Sequence, residues 1–397
     1  MSIDRGEGKV EVESEDIDWV ELEYRVNLED ATSALQPTVK DGVVYGYGPA
    51  FLVLPAQQVL DRTRDVQIEL HTPTDWNVVS TWTQVAQKVS SVDPNMTVRA
   101  FQATDGQALR DAFLAGGRRL SVDRLLDDLD VAYGPEFRGD RERVGKVIAD
   151  AVSAYRSDYG HLGPVKVLVR TTAEADRGNL GGLGRRGGFV VELPVDATAD
   201  SATALLVWHE ALHLWNGHFA VPDPRSEAET RWFKEGLTHY LATVAACNHH
   251  AITSTFLLEE WARIIDAYER NPLRRRGPGT ELDAARFPYD FGAILGVKLD
   301  AQARGQTSQR WLQQVLDTRG ADAYEPRMLR EALMKVYPAG SSLWLNISQR
   351  QDLEAAALFE SIGLHFLRGS DREPRLVWVD GNARFAEIFG GCSVNAQ

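Results

Sequence analysis

The sequence predicts an α+β protein with a β-rich N-terminal domain (1–135), a mixed domain with a mainly helical C-terminal lobe (136–370) and a short tail (371–397). Three observations support this prediction. Apolar residues alternate with polar ones over 66–70, which is typical of strands. A long apolar helical pattern covers 201–216, and nearly all later apolar segments also have helical spacing.

Length and composition indicate an ordinary globular protein of two or three domains. The chain has 397 residues, of which 44% are hydrophobic and 25% charged. The net charge of −14 disfavours nucleic acid as a partner. We see no membrane segment, because no apolar run approaches the roughly 18 residues that a span needs. The sequence does not indicate an oligomeric state.

The opening residues and the cysteines suggest a cytoplasmic protein. The first residues lack the basic and apolar regions of a signal peptide, although a trimmed exported form stays open. Cys247 and Cys392 make no disulfide framework, and we expect Cys247 in the core. Low cysteine use fits a reducing compartment.

The first half of the chain reads as strands with few helices. Alternation also covers 20–28, and a helical piece is expected near Gln107–Ala115. A longer helix is predicted from Arg141 to Tyr159. Strands follow at Val165–Arg170 and Gly188–Leu193.

The second half is predicted to be helical. The expected helices are Leu241–Trp261, Phe291–Gln302, Gln309–Thr318, Met328–Val336 and Leu353–Ser361, with a short strand at Arg375–Val379.

One helix carries the residues of a metal site. His209, Glu210 and His213 form an HExxH sequence, whose histidines project from one helical face and can bind one Zn²⁺. Asp200 or Ser201 supplies the N-cap. A catalytic zinc needs a third protein ligand, and Glu235, 22 residues after His213, is the best candidate.

Three segments resemble zinc peptidases. The segment 208–216 contains HEALHLWN, which resembles the HExxHxWN pattern of the glycyl aminopeptidase family, and 232–238 (WFKEGLT) resembles its WFxEGxT segment. Residues 288–293 (PYDFGA) resemble the PYEKGA segment of the related aminopeptidase-N group. The resemblance implies a thermolysin-like gluzincin domain with Zn²⁺, Glu235 as the third ligand and a peptide or protein substrate. It also implies that Tyr289 stabilises the tetrahedral intermediate.

The roles of the remaining site residues follow from this chemistry. Glu210 would accept a proton from water as general base. Tyr240 competes with Tyr289 as the oxyanion donor on the sequence alone. Thr238 could hydrogen-bond a zinc-ligating group. A C-terminal PDZ domain, which many relatives carry, would be absent or a stub.

The strand Gly188–Leu193 is expected to be the edge that pairs with an extended substrate, as in thermolysin-like peptidases. We therefore place substrate contacts at Gly187, Gly188, Phe189 and Glu192. Relatives carry acidic residues that bind the substrate's amino terminus in the preceding segment, where this chain has Gly184 and an arginine.

We accordingly expect an aminopeptidase-like enzyme with weak selectivity for a free amino terminus. The alternatives are a zinc endopeptidase and a non-catalytic zinc-containing peptide-binding protein. A closed structural zinc site has four protein ligands, and only three are apparent, which favours catalysis.

Overall fold

The computed structural model describes residues 38–392 with short gaps. The gaps are residues 53, 55–56, 61, 173–174, 176–177, 179, 224, 276–285, 304, 319–322, 350, 369–372, 380–383 and 391. The strand predicted over 20–28 therefore lies outside the described residues.

The N-terminal region is β-rich, as predicted. Its strands are β1 (Thr38–Lys40), β2 (Val43–Tyr47), β3 (Arg64–Pro73), β4 (Asn77–Ser80), β5 (Thr83–Val89), β6 (Met96–Asp105) and β7 (Phe113–Gly117). Strands β1, β2, β7 and β4 form one antiparallel sheet in that order, and β3, β6 and β5 form another. The short helices here are α1 (Gly48–Phe51), α2 (Gln57–Leu60) and α3 (Gly106–Asp111).

The helix predicted over Gln107–Ala115 is too long. It ends at Asp111, and the next residues join β7, which pairs with both β2 and β4. Strand pairing with distant residues overrides the local helical pattern there.

A five-stranded mixed sheet forms the centre of the molecule. Its members are β8 (Ser121–Leu126), β9 (Leu129–Tyr133), β10 (Val165–Thr171), β11 (Gly181–Arg185) and β12 (Gly188–Leu193), in the spatial order β11-β12-β10-β9-β8. Strands β9, β10 and β12 are parallel, and α4 (Arg141–Tyr159) connects β9 to β10. The helix and both of the strands predicted in this stretch are confirmed. The domain boundary at 135 stays a prediction.

The two faces of this sheet pack against different partners. Residues such as Val167, Val169 and Val191 pack under helices in the main core. Their strand neighbours Leu168 and Val190 point the other way and pack against the first N-terminal sheet. Alternation along buried strands produces this three-layer arrangement.

The C-terminal part is helical. Its helices are α5 (Ser201–Leu212), α6 (Glu227–Arg231), α7 (Thr238–Asn248), α8 (Ser254–Arg270), α9 (Phe287–Ala303), α10 (Thr307–Thr318), α11 (Pro326–Val336), α12 (Ser341–Ser348), α13 (Ala355–Ser361) and α14 (Arg384–Phe389). A π-helical turn covers Trp232–Leu237, 3₁₀ turns cover Pro272–Arg275 and Pro338–Gly340, and β13 (Leu364–Leu367) pairs with β14 (Arg375–Trp378). Within the described ranges, none of the helices is long and apolar enough to cross a membrane.

The helix predicted over Leu241–Trp261 is in fact two helices. His250 adopts a left-handed conformation (φ 56°), which ends α7. Thr253 then caps α8 by accepting a hydrogen bond from the Phe256 backbone.

The two cysteines form a disulfide, contrary to the sequence prediction. Cys247, at the end of α7, is bonded to Cys392, which follows α14. The pair is 145 residues apart in sequence, so only the fold brings the two sulfurs together. The argument for a reducing compartment from cysteine use is therefore lost.

Candidate metal and active site

Helix α5 presents His209 and Glu210, and His213 follows at its end. Asp200 caps the helix by accepting a hydrogen bond from the Thr203 backbone at 2.8 Å, as predicted. The helix lies in the main core, and His209, Glu210 and His213 are only 8%, 6% and 5% exposed. Buried polar groups of this kind need partners, so their environment decides what they can do.

Glu235 completes a group of three ligand atoms. It lies on the π-helical turn Trp232–Leu237, a geometry that is frequent at functional sites. Its Oε2 is 3.2 Å from His213 Nε2 and 3.8 Å from His209 Nε2, and the two Nε2 atoms are 3.1 Å apart. Ligands at about 2.0–2.1 Å around a tetrahedral zinc ion lie roughly 3.3 Å from one another. The donor set therefore fits one Zn²⁺.

Among the described residues, this is the only group of three or more His, Cys, Asp or Glu side chains close enough to hold a metal. Burial lowers the pKa of His209 to about 4, which keeps its imidazole in the neutral, ligating form. Burial alone would raise the pKa of Glu235, but His213 and hydrogen bonds from both imidazoles hold it well below its usual value. Glu235 is therefore an ionised carboxylate and His209 a neutral imidazole, which are the forms that bind zinc.

Asn216 joins the motif helix to the Glu235 turn. Its backbone oxygen accepts a hydrogen bond from His213 Nδ1 at 2.9 Å, which leaves Nε2 for a metal. Its side-chain nitrogen donates to the Phe233 backbone oxygen at 2.9 Å and to Thr238 Oγ1 at 3.0 Å. Thr238 therefore supports the ligands through Asn216, a residue to which the sequence analysis gave no role.

Glu210 lies beside the ligands and against the edge of the central sheet. Burial raises its pKa to about 7, whereas the charge of His213 and a hydrogen bond from the backbone of Gly184 lower it. Its carboxyl group lines a cleft of about 690 Å³ that also exposes His209 and Tyr289. A substrate in this cleft would reach both Glu210 and the ligand group.

Tyr289 is positioned by a close contact between two helices. Its ring stacks on that of His209 with centroids 6.1 Å apart. Three residues on, a Cβ at Gly292 would lie 2.0 Å from the Trp232 backbone oxygen, and one at Gly236 would lie 2.5 Å from the Gly292 Cα. These two glycines let α9 touch the backbone of the Glu235 turn. Burial, and then the Glu235 carboxylate, raise the pKa of Tyr289 well above its usual value, so its phenol stays a donor.

The M61 glycyl aminopeptidase family model matches residues 202–285 of this chain. The match includes His209, Glu210, His213 and Glu235 but not Tyr289 or the edge of the sheet. The resemblance read from the sequence is confirmed over this range. No curated protein matches the chain.

Two solved structures have a similar fold. An aminopeptidase N family protein from Idiomarina loihiensis aligns with a TM-score of 0.68 and 15% identity, covering 85% of this chain and 64% of that protein. An M1 zinc metallopeptidase from Deinococcus radiodurans aligns with a TM-score of 0.55 and 12% identity, covering 82% of this chain and 74% of that one. This chain thus spans less than two thirds of the Idiomarina protein. At these identities the likeness shows the fold, and the family model adds support for a metallopeptidase.

Strand β11 is the edge of the central sheet, so the prediction that Gly188–Leu193 is the edge is wrong. The structure inserts β11 outside that strand, as its antiparallel partner. A Cβ at Gly182 would lie 2.3 Å from Glu210 Cγ, and one at Gly184 would lie 2.7 Å from His213 Cβ. The glycines of β11 therefore bring its backbone directly against the HExxH segment.

The four residues predicted to bind substrate do not line the zinc cleft, and Glu192 lines a cavity on the other face of the sheet. Gly187 and Gly188 lie against Thr81, and Phe189 is fully buried in the core. Glu192 is on the opposite face of the sheet from the motif helix, 3.6 Å from Arg170. None of the four lines the cleft beside Glu210, whose described wall includes Leu205, Leu206, His239, Phe256, Glu260 and Arg286. Contact of these four residues with substrate stays a prediction, and it was reasoned from taking β12 as the edge.

Tyr240, which competes with Tyr289 on the sequence alone, does not line the zinc cleft. Its side chain is fully buried, and its hydroxyl donates to the Asp300 carboxylate at 2.7 Å. This bond directs it away from the cleft, whereas Tyr289 lines the cleft. His239 lies nearer to the site: its ring centroid is 5.6 Å from that of His209, and its Nε2 is 3.1 Å from Glu260 Oε1.

Proposed function

We propose that this chain is a zinc-dependent peptidase that hydrolyses peptide bonds, with Glu210 as the general base. The observation that carries the proposal is the convergence of His209, His213 and Glu235 beside an open cleft. Glu210 and Tyr289 both line that cleft. The thermolysin-like arrangement of the catalytic unit is part of this proposal.

His209 Nε2, His213 Nε2 and a Glu235 oxygen would hold the zinc ion. Bound there, zinc supplies Lewis acidity, which polarises a substrate carbonyl and makes water easier to deprotonate. Three protein ligands leave a coordination position open, as in catalytic rather than structural sites. The hydrogen bond from His213 Nδ1 to Asn216 fixes the orientation of that imidazole.

The protein's own groups move the proton and stabilise the charge. Glu210 takes a proton from the attacking water molecule and delivers it to the leaving amine, a role that typically contributes about 10²–10⁴ in rate. Tyr289 donates a hydrogen bond to the oxygen on which negative charge develops. Burial, the main cause that raises the pKa of Tyr289, keeps the proton in place for this purpose.

We propose an aminopeptidase-like activity without strong selection for a free amino terminus. A carboxylate-bearing side chain has no room at position 184, because even a Cβ there would meet His213. The nearby carboxylates are already paired: Glu192 with Arg170, and Glu260 with His239 and Arg263. A substrate amine would have to compete with those cations.

The test combines zinc analysis with peptide hydrolysis for the wild type and Glu210→Gln. The variant should retain about one zinc per chain and lose at least a hundredfold in kcat, because the amide keeps the shape but cannot accept the proton. Glu331→Gln, an exposed glutamate, is the matched control and should match the wild type. Hydrolysis by Glu210→Gln within threefold of the wild type would disprove the assignment of the base.

A further inference from the structure

A second cavity lies on the face of β11 that points away from the motif helix. Its volume is about 180 Å³, comparable to roughly six water molecules. Because side chains alternate along a strand, Gly182 and Gly184 face the motif helix, whereas Leu183 and Arg185 face this cavity. The N-terminal sheet closes its far side with Tyr45, Tyr47 and Phe113.

The cavity contains two arginines, and their surroundings differ. Arg170 has the Glu192 carboxylate 3.6 Å away, so these two charges offset each other. The guanidinium of Arg185 lies over the ring of Tyr47, 5.2 Å from its centroid. Within the described part of the chain, no carboxylate lies within ion-pair distance of Arg185, and its buried Nε has no hydrogen-bond partner. Among the described residues, Arg185 is thus the cation of this cavity that has no direct ion-pair partner.

This charge lies close to the reacting groups. The cavity and the zinc cleft share Gly182 in their walls, and Gly182 lies against the Glu210 side chain. Arg185 is three residues further along the same strand, about 10 Å at the rise of a β-strand. The carboxylates of Asp111 and, more weakly, of Glu210 act on the Arg185 guanidinium from beyond ion-pair distance. For a peptide residue next to the bond on which Glu210 acts, the way to Arg185 passes around the edge strand β11 at Gly182.

We propose that Arg185 binds the carboxylate of an aspartate or glutamate side chain adjacent to the scissile bond of the peptide substrate. This inference rests on the proposed peptidase function and adds a specificity to it. A guanidinium presents a planar fork of donors that matches a carboxylate with two hydrogen bonds. The mostly apolar walls strengthen such a pair, because they exclude water that would otherwise screen it. A half-buried arginine that lacks a direct anionic partner gains one when this substrate binds.

The first experiment compares pairs of peptides that carry either Glu or the isosteric Gln at one position. In one pair this position is on the amino side of the scissile bond, and in the other pair it is on the carboxyl side. All other residues are neutral. We expect kcat/KM for the Glu peptide to exceed that for the Gln peptide by roughly tenfold to a hundredfold on one of the two sides. Equal values on both sides would overturn the inference while leaving the peptidase proposal intact, because the neutral peptide reports general hydrolysis.

The second experiment measures the ratio of kcat/KM between the Glu peptide and the Gln peptide in three variants. Arg185→Gln should bring the Glu/Gln ratio to within threefold of one, and Arg185→Lys should retain only part of it, because lysine keeps the charge but loses the fork. Arg186→Gln is the matched control, since Arg186 is 44% exposed and pairs with Asp105, and it should keep the full ratio. A ratio that survives Arg185→Gln would refute the assignment. If Arg185→Gln does not fold, the comparison of the Glu/Gln ratio between the wild type and Arg185→Lys tests the assignment instead, and an unchanged ratio in Arg185→Lys would refute it.

A binding measurement separates this inference from the peptidase proposal. Titration calorimetry with a Glu-containing and a Gln-containing tripeptide is done with all proteins in the Glu210→Gln background, so that binding is measured without hydrolysis. We expect the Glu tripeptide to bind at least tenfold more tightly, and this preference to disappear in Arg185→Gln. If no peptide is hydrolysed, the proposed function fails, but the tripeptide preference still supports the Arg185 site. Equal affinities would overturn it.

Discussion

The substitution Gly182→Ala tests the position of Glu210 with a single methyl group. The new Cβ would lie 2.3 Å from Glu210 Cγ and 2.4 Å from Oε1, whereas carbon atoms in contact prefer about 3.5–4.0 Å. The Glu210 side chain must therefore retreat by about 1.2 Å or more. It can do so because the colliding atoms belong to a flexible side chain and not to backbone.

A displacement of this size should affect activity far more than stability. A catalytic group misplaced by about 1 Å can cost on the order of 10² in rate. Overpacking of one methyl group typically costs about 1–3 kcal/mol, which would lower the Tm by a few degrees. The three atoms nearest the new methyl group all belong to Glu210 and none to a metal ligand, so zinc content should stay near one per chain.

The assay is steady-state hydrolysis of a neutral peptide, together with zinc analysis and thermal unfolding. Gly181→Ala is the matched control: it lies next to Gly182 on the same strand, but its Cβ would approach the Glu192 carboxyl group and not Glu210. We expect kcat to fall about a hundredfold in Gly182→Ala and to change less than threefold in Gly181→Ala. A kcat for Gly182→Ala within threefold of the wild type would mean that Glu210 is not held in a reactive position by β11.

Three further predictions concern the ligands, the oxyanion donor and the amino terminus. His213→Ala should abolish zinc binding, because it removes one of three ligands, and metal analysis showing full occupancy would contradict the ligand assignment. Tyr289→Phe should lower kcat by about 10²–10³ with zinc retained. By contrast, Tyr240→Phe should mainly lower the Tm, since its hydroxyl is bonded to the buried Asp300; kinetics and thermal unfolding of both variants decide between the two tyrosines. A peptide and its N-acetylated form should be cleaved at similar rates, because position 184 has no room for a carboxylate; strong preference for the free amine would contradict this.

Much of the fold could be predicted where local periodicity dominates. Helix α4 and strands β10 and β12 appear at the expected positions because their apolar residues follow one clear period. Two helix predictions were wrong, one because the residues pair with a distant strand and the other because the backbone conformation changes within the predicted helix. The helix expected to reach Ala115 instead joins the N-terminal sheet, and the one expected to continue through His250 ends there.

For the site, the sequence alone determined the pair of histidines and their neighbour Glu210, because four residues of α-helix place two side chains on one face whatever surrounds them. It also supplied Glu235 as a candidate, although its distance from the histidines depends on how the intervening chain returns. Only the tertiary structure decided that β11 is the edge strand, since the glycine-rich sequence of Gly181–Arg185 has little strand preference and is held by pairing with β12. It also separated Tyr289 from Tyr240, through the contact of Gly236 with Gly292, and joined Cys247 to Cys392. Helical spacing acts over one or two turns and can be read from the sequence, whereas strand order, helix contacts and disulfide partners depend on residues far apart in the chain.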